Sequence, residues 1–220
     1  MWKNSAQQLV RSYNTKTATF GTQYNNTNPA GSCSPSTAIN STGQIISASL
    51  CSATVGMAIY DNGGQSMTNL SNIATGGCSV GTNIDIDSSG NVHLLYATAC
   101  TSQALQYYNS TNMFTTIGAS YNYTLGGAND IGNAKMIVGK NDAVHFAYRN
   151  TTSRRIFYTK KNSTASTLEI PRVIGFEQGS VGFNFYADVN GVIYIIGGNE
   201  SGLWQINSQL MDHHGEHQLC

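Results

Sequence analysis

Asn83-Ile84-Asp85-Ile86-Asp87-Ser88-Ser89-Gly90-Asn91-Val92-His93-Leu94-Leu95-Tyr96 is the stretch whose reading decides the fold. Polar and apolar residues alternate as far as Asp87, the period of a β-strand. Asp87-Ser88-Ser89-Gly90 is turn chemistry, with Gly90 free to take positive φ. Val92 to Tyr96 is then a short apolar run of strand length, broken only by His93. The segment reads as strand, tight turn, strand.

The same pattern recurs at residues 36–46, 135–145 and 184–194. The turn position is held by Gly43, Gly90, Asp142 and Gly191, in steps of 47, 52 and 49 residues. Asn40, Asp87 and Asp188 precede three of these turns, where an Asx side chain can bond the turn amides. A further strand follows in step, with Tyr13, Tyr60, Tyr108 and Tyr158 spaced by 47, 48 and 50. A weaker fourth strand is expected at 17–24, 66–73, 113–117 and 168–174. No window carries sustained helical periodicity. Four short strands repeated every ~48 residues predict an all-β fold, a β-propeller of four-stranded antiparallel blades. Val92 to Tyr96 and Val192 to Ile196 are nearly continuous apolar runs, as expected for strands covered on both faces. The alternative is a β-sandwich of two sheets, which fits the strand lengths but does not explain the kept register.

The pattern apolar-x-apolar-Asp-x-x-Gly-x-apolar-His-apolar-apolar-Tyr, clearest at residues 84–96, resembles the repeats of secreted bacterial propellers. It is similar to those of the NHL and the BNR/sialidase-like groups, at repeat level, over residues 9 to about 207. The resemblance implies a propeller. The sialidase Asp-box, Ser-x-Asp-x-Gly-x-x-Trp, is absent, and the unit is longer than the NHL repeat.

The expected organisation is one propeller domain over residues 1–210, followed by a flexible tail at 211–220. It divides into a partial blade at 1–30, blades at 31–80, 81–131 and 132–180, and a partial blade at 181–210. Either a ring of about five blades closes imperfectly, or the chain is part of a larger ring and able to oligomerise; the second is the expectation. Met1 to Val10 has no apolar h-region, so the chain is expected to follow a removed leader or to begin inside a longer protein.

Charge narrows the partners. Charged residues make up 10% of the chain and the net charge is zero, against roughly 25% charged in a typical soluble domain. That excludes a nucleic-acid binder driven by counterion release and a basic membrane-surface protein. Their place is taken by 23 Asn, 23 Ser, 22 Thr and 23 Gly. Residues 17–60 and 88–129 hold no charge at all, yet both are rich in neutral polar residues, so no transmembrane segment is expected.

Cys33 and Cys51 flank the first full hairpin, and Cys78 and Cys100 flank the second. Antiparallel pairing brings the start of one strand beside the end of the next. Two disulfides, Cys33–Cys51 and Cys78–Cys100, are therefore expected, with an oxidising compartment: secreted, periplasmic or cell-surface. Each closes a loop of ~20 residues, about 3 kcal/mol in the chain-entropy account.

His93 and His145 share one repeat position, taken by Ile46 and Tyr194 elsewhere, and read as packing residues. His213-His214-Gly215-Glu216-His217 reads as an adventitious tail cluster, so no metal and no cofactor are expected. No nucleophile motif or phosphate loop is present, and no catalytic residue is nominated. A binding site is expected on the rim formed by the loops from second to third strands and from each blade to the next. The expected contacts are Asn83, Asp85, Asn133, Lys135 and Asn184, with Tyr148, Arg149, Arg154 and Tyr186. Amides, arginine forks and aromatic faces suit sugar hydroxyls and acids. The expected function is thus a secreted or envelope binding module for glycans. The alternatives are a protein-interaction scaffold on an extracellular protein surface and a polysaccharide-cleaving enzyme.

Overall fold

A computed structural model describes residues 2–4, 7–14, 16–26, 35–51, 54–61, 66–70, 73–74, 79–98, 104–111, 120–124, 131–150, 152–176, 183–188, 190–199 and 202–207. The described residues are all β apart from one 3-10 turn, Lys140–Asp142. They form five antiparallel sheets, one per repeat unit.

The first unit contains β1 (Trp2–Asn4), β2 (Gln7–Asn14) and β3 (Thr19–Asn26). The second contains β4 (Pro35–Ile39), β5 (Ile45–Cys51), β6 (Thr54–Asp61), β7 (Ser66–Asn69) and β8 (Ile73–Ala74). The third contains β9 (Ser79–Ile86), β10 (Val92–Thr98), β11 (Ala104–Ser110) and β12 (Ser120–Thr124). The fourth contains β13 (Ile131–Val138), β14 (Val144–Asn150), β15 (Arg155–Lys161) and β16 (Arg172–Phe176). The fifth contains β17 (Phe183–Ala187), β18 (Ile193–Asn199) and β19 (Gly202–Asn207). Strands pair in chain order within each sheet, the meander of a propeller blade, with β8 joining β6 beside β7. Among the described residues no strand of the first unit pairs with one of the fifth.

The turns form as their residues dictate. Gly43, Gly90 and Gly191 sit at φ +85°, +83° and +86°. Asp87 Oδ1 accepts the amides of Ser89 and Asn91 at 3.0 and 2.7 Å. Asp188 Oδ1 does the same for Asn190 and Val192, and Asn40 Oδ1 for Thr42 and Gln44. In the fourth unit Gly139 stands where the Asx residue would be. Its turn tightens to the 3-10 form, with Asn141 and Asp142 at positive φ.

Outer strands depart from expectation. The unread β1 adds a strand to the first unit, and 66–73 divides into β7 and β8. The described fourth strand of the third unit is β12, beyond the expected 113–117, which lies outside the described residues. In the fourth unit Glu169 N donates to Lys160 O at 2.9 Å, and β16 then begins at Arg172. Pro171 stands between them and has no N–H to give the ladder. The tyrosine series also shifts. His93 lies opposite Asn109 and His145 opposite Lys160, so the counterpart of Tyr158 is Tyr107, not Tyr108.

Among the described residues, three seams between blades each have their own core. Ile46, Met57 and Ile59 of the second unit pack with Ile84, Leu94 and Tyr96 of the third. Leu95, Leu105 and Tyr107 pack with Met136, Phe146 and Tyr148 of the fourth. Ala147, Ile156 and Tyr158 pack with Phe183 and Ile195 of the fifth. Neighbours on β10 thus face different blades, which explains its unbroken apolar run.

Candidate functional site

Residue by residue, the expected rim contacts separate. Asn83 and Asp85 lie on the inner strand β9 and reach the inner strand of the next blade. Asn83 Oδ1 accepts the Met136 amide at 3.2 Å, and Asp85 Oδ2 accepts the Val138 amide at 2.7 Å. Ser36 Oγ accepts the Ile84 amide at 3.0 Å in the seam before. These side chains therefore stitch blades together. Burial pushes the Asp85 carboxyl up, against the pull of the Val138 and Ile86 amides. Tyr148 is buried in the core and stacked on Phe157, ring centroids 5.3 Å apart, and burial pushes its phenol up to about 12. Asn133 and Lys135 are half-buried on β13, and Asn133 lies opposite Arg149. Arg154 is exposed in the β14–β15 turn, while Asn184 and Tyr186 are exposed on β17. Of the loops expected to form the rim, residues 99–102, 126–130, 151 and 200–201 lie outside the described residues. So do Cys33, Cys78, Cys100 and the 211–220 tail, and of Cys51 only the backbone is described. Among the described residues no group of three His, Cys, Asp or Glu could hold a metal, and no helix is long and apolar enough to cross a membrane.

A cavity of about 400 Å³ opens at the other end of the strands, where first-to-second and third-to-fourth strand turns gather. It lies between the fourth and fifth units. Lys140, Asn141 and Ala143 line it from the β13–β14 turn, and His145 from β14. Tyr158 and Lys160 of β15 follow, then Asn162 and Ser163. Asn190 and Gly191 close it from the next blade's turn. Gly191 makes room for Lys140, whose Cβ would be 2.7 Å from a Cβ added at position 191.

His145 is 9% exposed, and its Nδ1 lies 2.7 Å from Tyr158 Oη. Burial, with Lys160 nearby, lowers its pKa to about 4, so the ring is neutral near pH 7. Lys160 lies 3.5 Å from Glu169. His93 of the third unit shows what the same position does elsewhere. Its Nδ1 is 2.6 Å from Tyr107 Oη and its Nε2 is 3.2 Å from Asp87 Oδ2. Burial pulls the His93 pKa down more than Asp87 raises it. Asp87 itself is held below its usual value: burial raises it, but hydrogen bonds from Asn91 and His93 outweigh that. Asp87, a carboxylate, can only accept, so neutral His93 carries its hydrogen on Nε2 and accepts the Tyr107 hydroxyl at Nδ1.

From the sequence alone, both histidines read as packing residues. The departure visible in the sequence is Gly139, the one of the four turn-opening positions not held by an Asx residue.

No protein family and no curated protein matches the chain. Solved structures do. An ulvan lyase from a new polysaccharide lyase family, bound to a GlcA(1-4)Rha3S saccharide, superposes with a TM-score of 0.65 at 12% identity, over 96% of this chain and 64% of its own. A Hadza microbial sialidase gives 0.56 at 13% identity, over 79% and 43%. A Bacteroides caccae protein of unknown function gives 0.58 at 16%, over 98% and 72%. The chain spans less than two-thirds of the lyase and sialidase structures. At these identities the likeness establishes the fold.

Proposed function

We propose that this chain is a saccharide-binding module of a secreted or envelope protein, with the sugar held in the cavity between the fourth and fifth units. The observation that carries this reading is the cavity itself. Its volume of about 400 Å³ lies within the range of small-ligand sites, about 300–1,000 Å³. Its lining combines amides, a hydroxyl, ammonium groups and an aromatic ring, the complement of sugar hydroxyls and ring faces. That the structurally similar lyase and sialidase are named for carbohydrate substrates agrees with it. The expected disulfides agree with an oxidising compartment.

Titration calorimetry against a panel of oligosaccharides tests the proposal. Binding should saturate at one site and weaken at least tenfold in Asn162→Ala/Asn190→Ala protein, with no loss of thermal stability. A folded protein that binds no member of the panel overturns it. Cleavage is the second reading, favoured by the neutral His145–Tyr158 pair as a proton acceptor. Depolymerisation lost in Tyr158→Phe protein would establish it in place of simple binding.

A further inference from the structure

We propose that the cavity holds an oxyanion borne by the sugar, most directly a uronate carboxylate, on Nε2–H of His145 beside the ammonium group of Lys140. This rests on the saccharide-binding reading and names the class of saccharide.

The argument comes from the repeat. In the third unit, hydroxyl, imidazole and carboxylate form one chain: Tyr107 donates to His93 Nδ1, and His93 Nε2 donates to Asp87. The fourth unit repeats the first two members, with Tyr158 on Nδ1 of His145 at 2.7 Å. The third member is missing, because Gly139 occupies the position of Asp87. A Cβ added at Gly139 would stand 2.6 Å from His145 Nε2, so this is the atom that an Asx side chain would meet. With Nδ1 accepting the Tyr158 hydroxyl, Nε2 carries the hydrogen. That donor is on a side chain 9% exposed, it borders the cavity, and no described side chain accepts from it. The fifth unit keeps the pattern with Tyr194, whose hydroxyl lies 3.5 Å from Asp188. Of these four turns only that of the fourth unit has no side chain at this position, and the His145 ring packs against Gly139 there.

Charge selects an anion for the cavity. Lys140 and Lys160 both line the cavity. Lys160 is already 3.5 Å from Glu169, so Lys140 is the cation left to meet a ligand charge. Lys140 is exposed, and its stem rests on Gly191 of the next blade. A carboxylate and a sulfate ester share this chemistry, and the test separates them.

The probes are a glucuronate-containing tetrasaccharide, its carboxyl-reduced neutral counterpart and a sulfated neutral tetrasaccharide. Calorimetry gives the affinities, and long-range ¹H–¹⁵N spectra of the histidine rings report on Nε2. The free protein should show the Nε2–H tautomer at His145. The uronate chain should bind at least tenfold more tightly than its reduced form and shift the Nε2 resonance. His145→Phe keeps the ring volume without the donor and should erase the tenfold preference while binding of the reduced chain persists. Lys140→Gln should cut the preference severalfold. A preference for the sulfated chain over the uronate keeps the oxyanion seat and moves its source to a sulfate ester. Equal affinity for acidic and reduced chains overturns the seat and leaves the saccharide reading standing. If no saccharide binds but sodium glucuronate shifts His145 Nε2, the seat stands and the saccharide reading falls. An Nδ1–H tautomer, or no response at Nε2 to any probe, overturns the seat.

Discussion

Gly90 and Gly191 share one backbone conformation, φ +83° and +86°, but not one environment. A Cβ at Gly90 meets nothing within 4 Å, whereas at Gly191 it meets Lys140 Cβ at 2.7 Å. Gly90→Ala should therefore cost only the left-handed backbone penalty, about 1–2 kcal/mol. Gly191→Ala should cost more, since two turn backbones must also part; chemical denaturation of both variants measures the difference. His145 makes a second residue-scale prediction. Its folded pKa of about 4 lies below the ordinary 6.5. Above pH 6.5 both states are neutral and the group contributes no pH dependence. As pH falls from 6.5 toward 4 the unfolded chain takes up the proton first, so stability is lost across that window, on the order of 3 kcal/mol. Lys160 adds to the ring's resistance to protonation, Lys140 lines the same cavity, and Tyr158 holds the other ring nitrogen. In His145→Phe protein this acid sensitivity should shrink, which denaturation midpoints between pH 7 and 4 would show.

At the scale of the element, the hairpins were legible and the outer strands were not. A turn is specified by four or five adjacent residues, so Asp87, Gly90 and Asp188 announce themselves. An outer strand pairs on one side only, and its position drifts with Pro171 or with the split at β7 and β8. The seam bonds of Ser36, Asn83 and Asp85 were invisible for another reason: their acceptor role depends on where the next blade sits. The cavity was half legible, through the missing Asx at Gly139. Register also bears on the cysteines. Paired residues of β4 and β5 have numbers that sum to 84, as in Pro35 with Ser49, and Cys33 and Cys51 satisfy the same sum. On β9 and β10 the sum drops from 178 to 177 at a bulge after Tyr96, while Cys78 and Cys100 sum to 178. Peptide mapping without reduction should find Cys33–Cys51 as a linked pair in protein from an oxidising compartment. Free thiols at both positions would refute the pairing and, with it, the compartment argument.

For the molecule as a whole, the separate cores predict how damage spreads. Leu94 and Leu95 are adjacent and both essentially buried, at 0% and 1% exposure. Leu94 belongs to the core shared with the second unit and Leu95 to the core shared with the fourth. Either residue changed to Ala should cost about 2–5 kcal/mol. Hydrogen exchange should nonetheless show different footprints: β5 and β6 loosened by Leu94→Ala, β13 and β14 by Leu95→Ala. Identical footprints would mean that the blades do not behave as units coupled to their neighbours.

The stitches between inner strands also guard the protein against itself. Each blade ends at its inner edge in a strand with ladder groups on one side unpaired by its own sheet. Such an edge is a template for a strand from another molecule. Ser36, Asn83 and Asp85 occupy the amides of Ile84, Met136 and Val138 before any foreign strand can. Short side chains thereby do for the inner edge what closure does for a barrel, and replacing them with alanine would open a route to fibrous association.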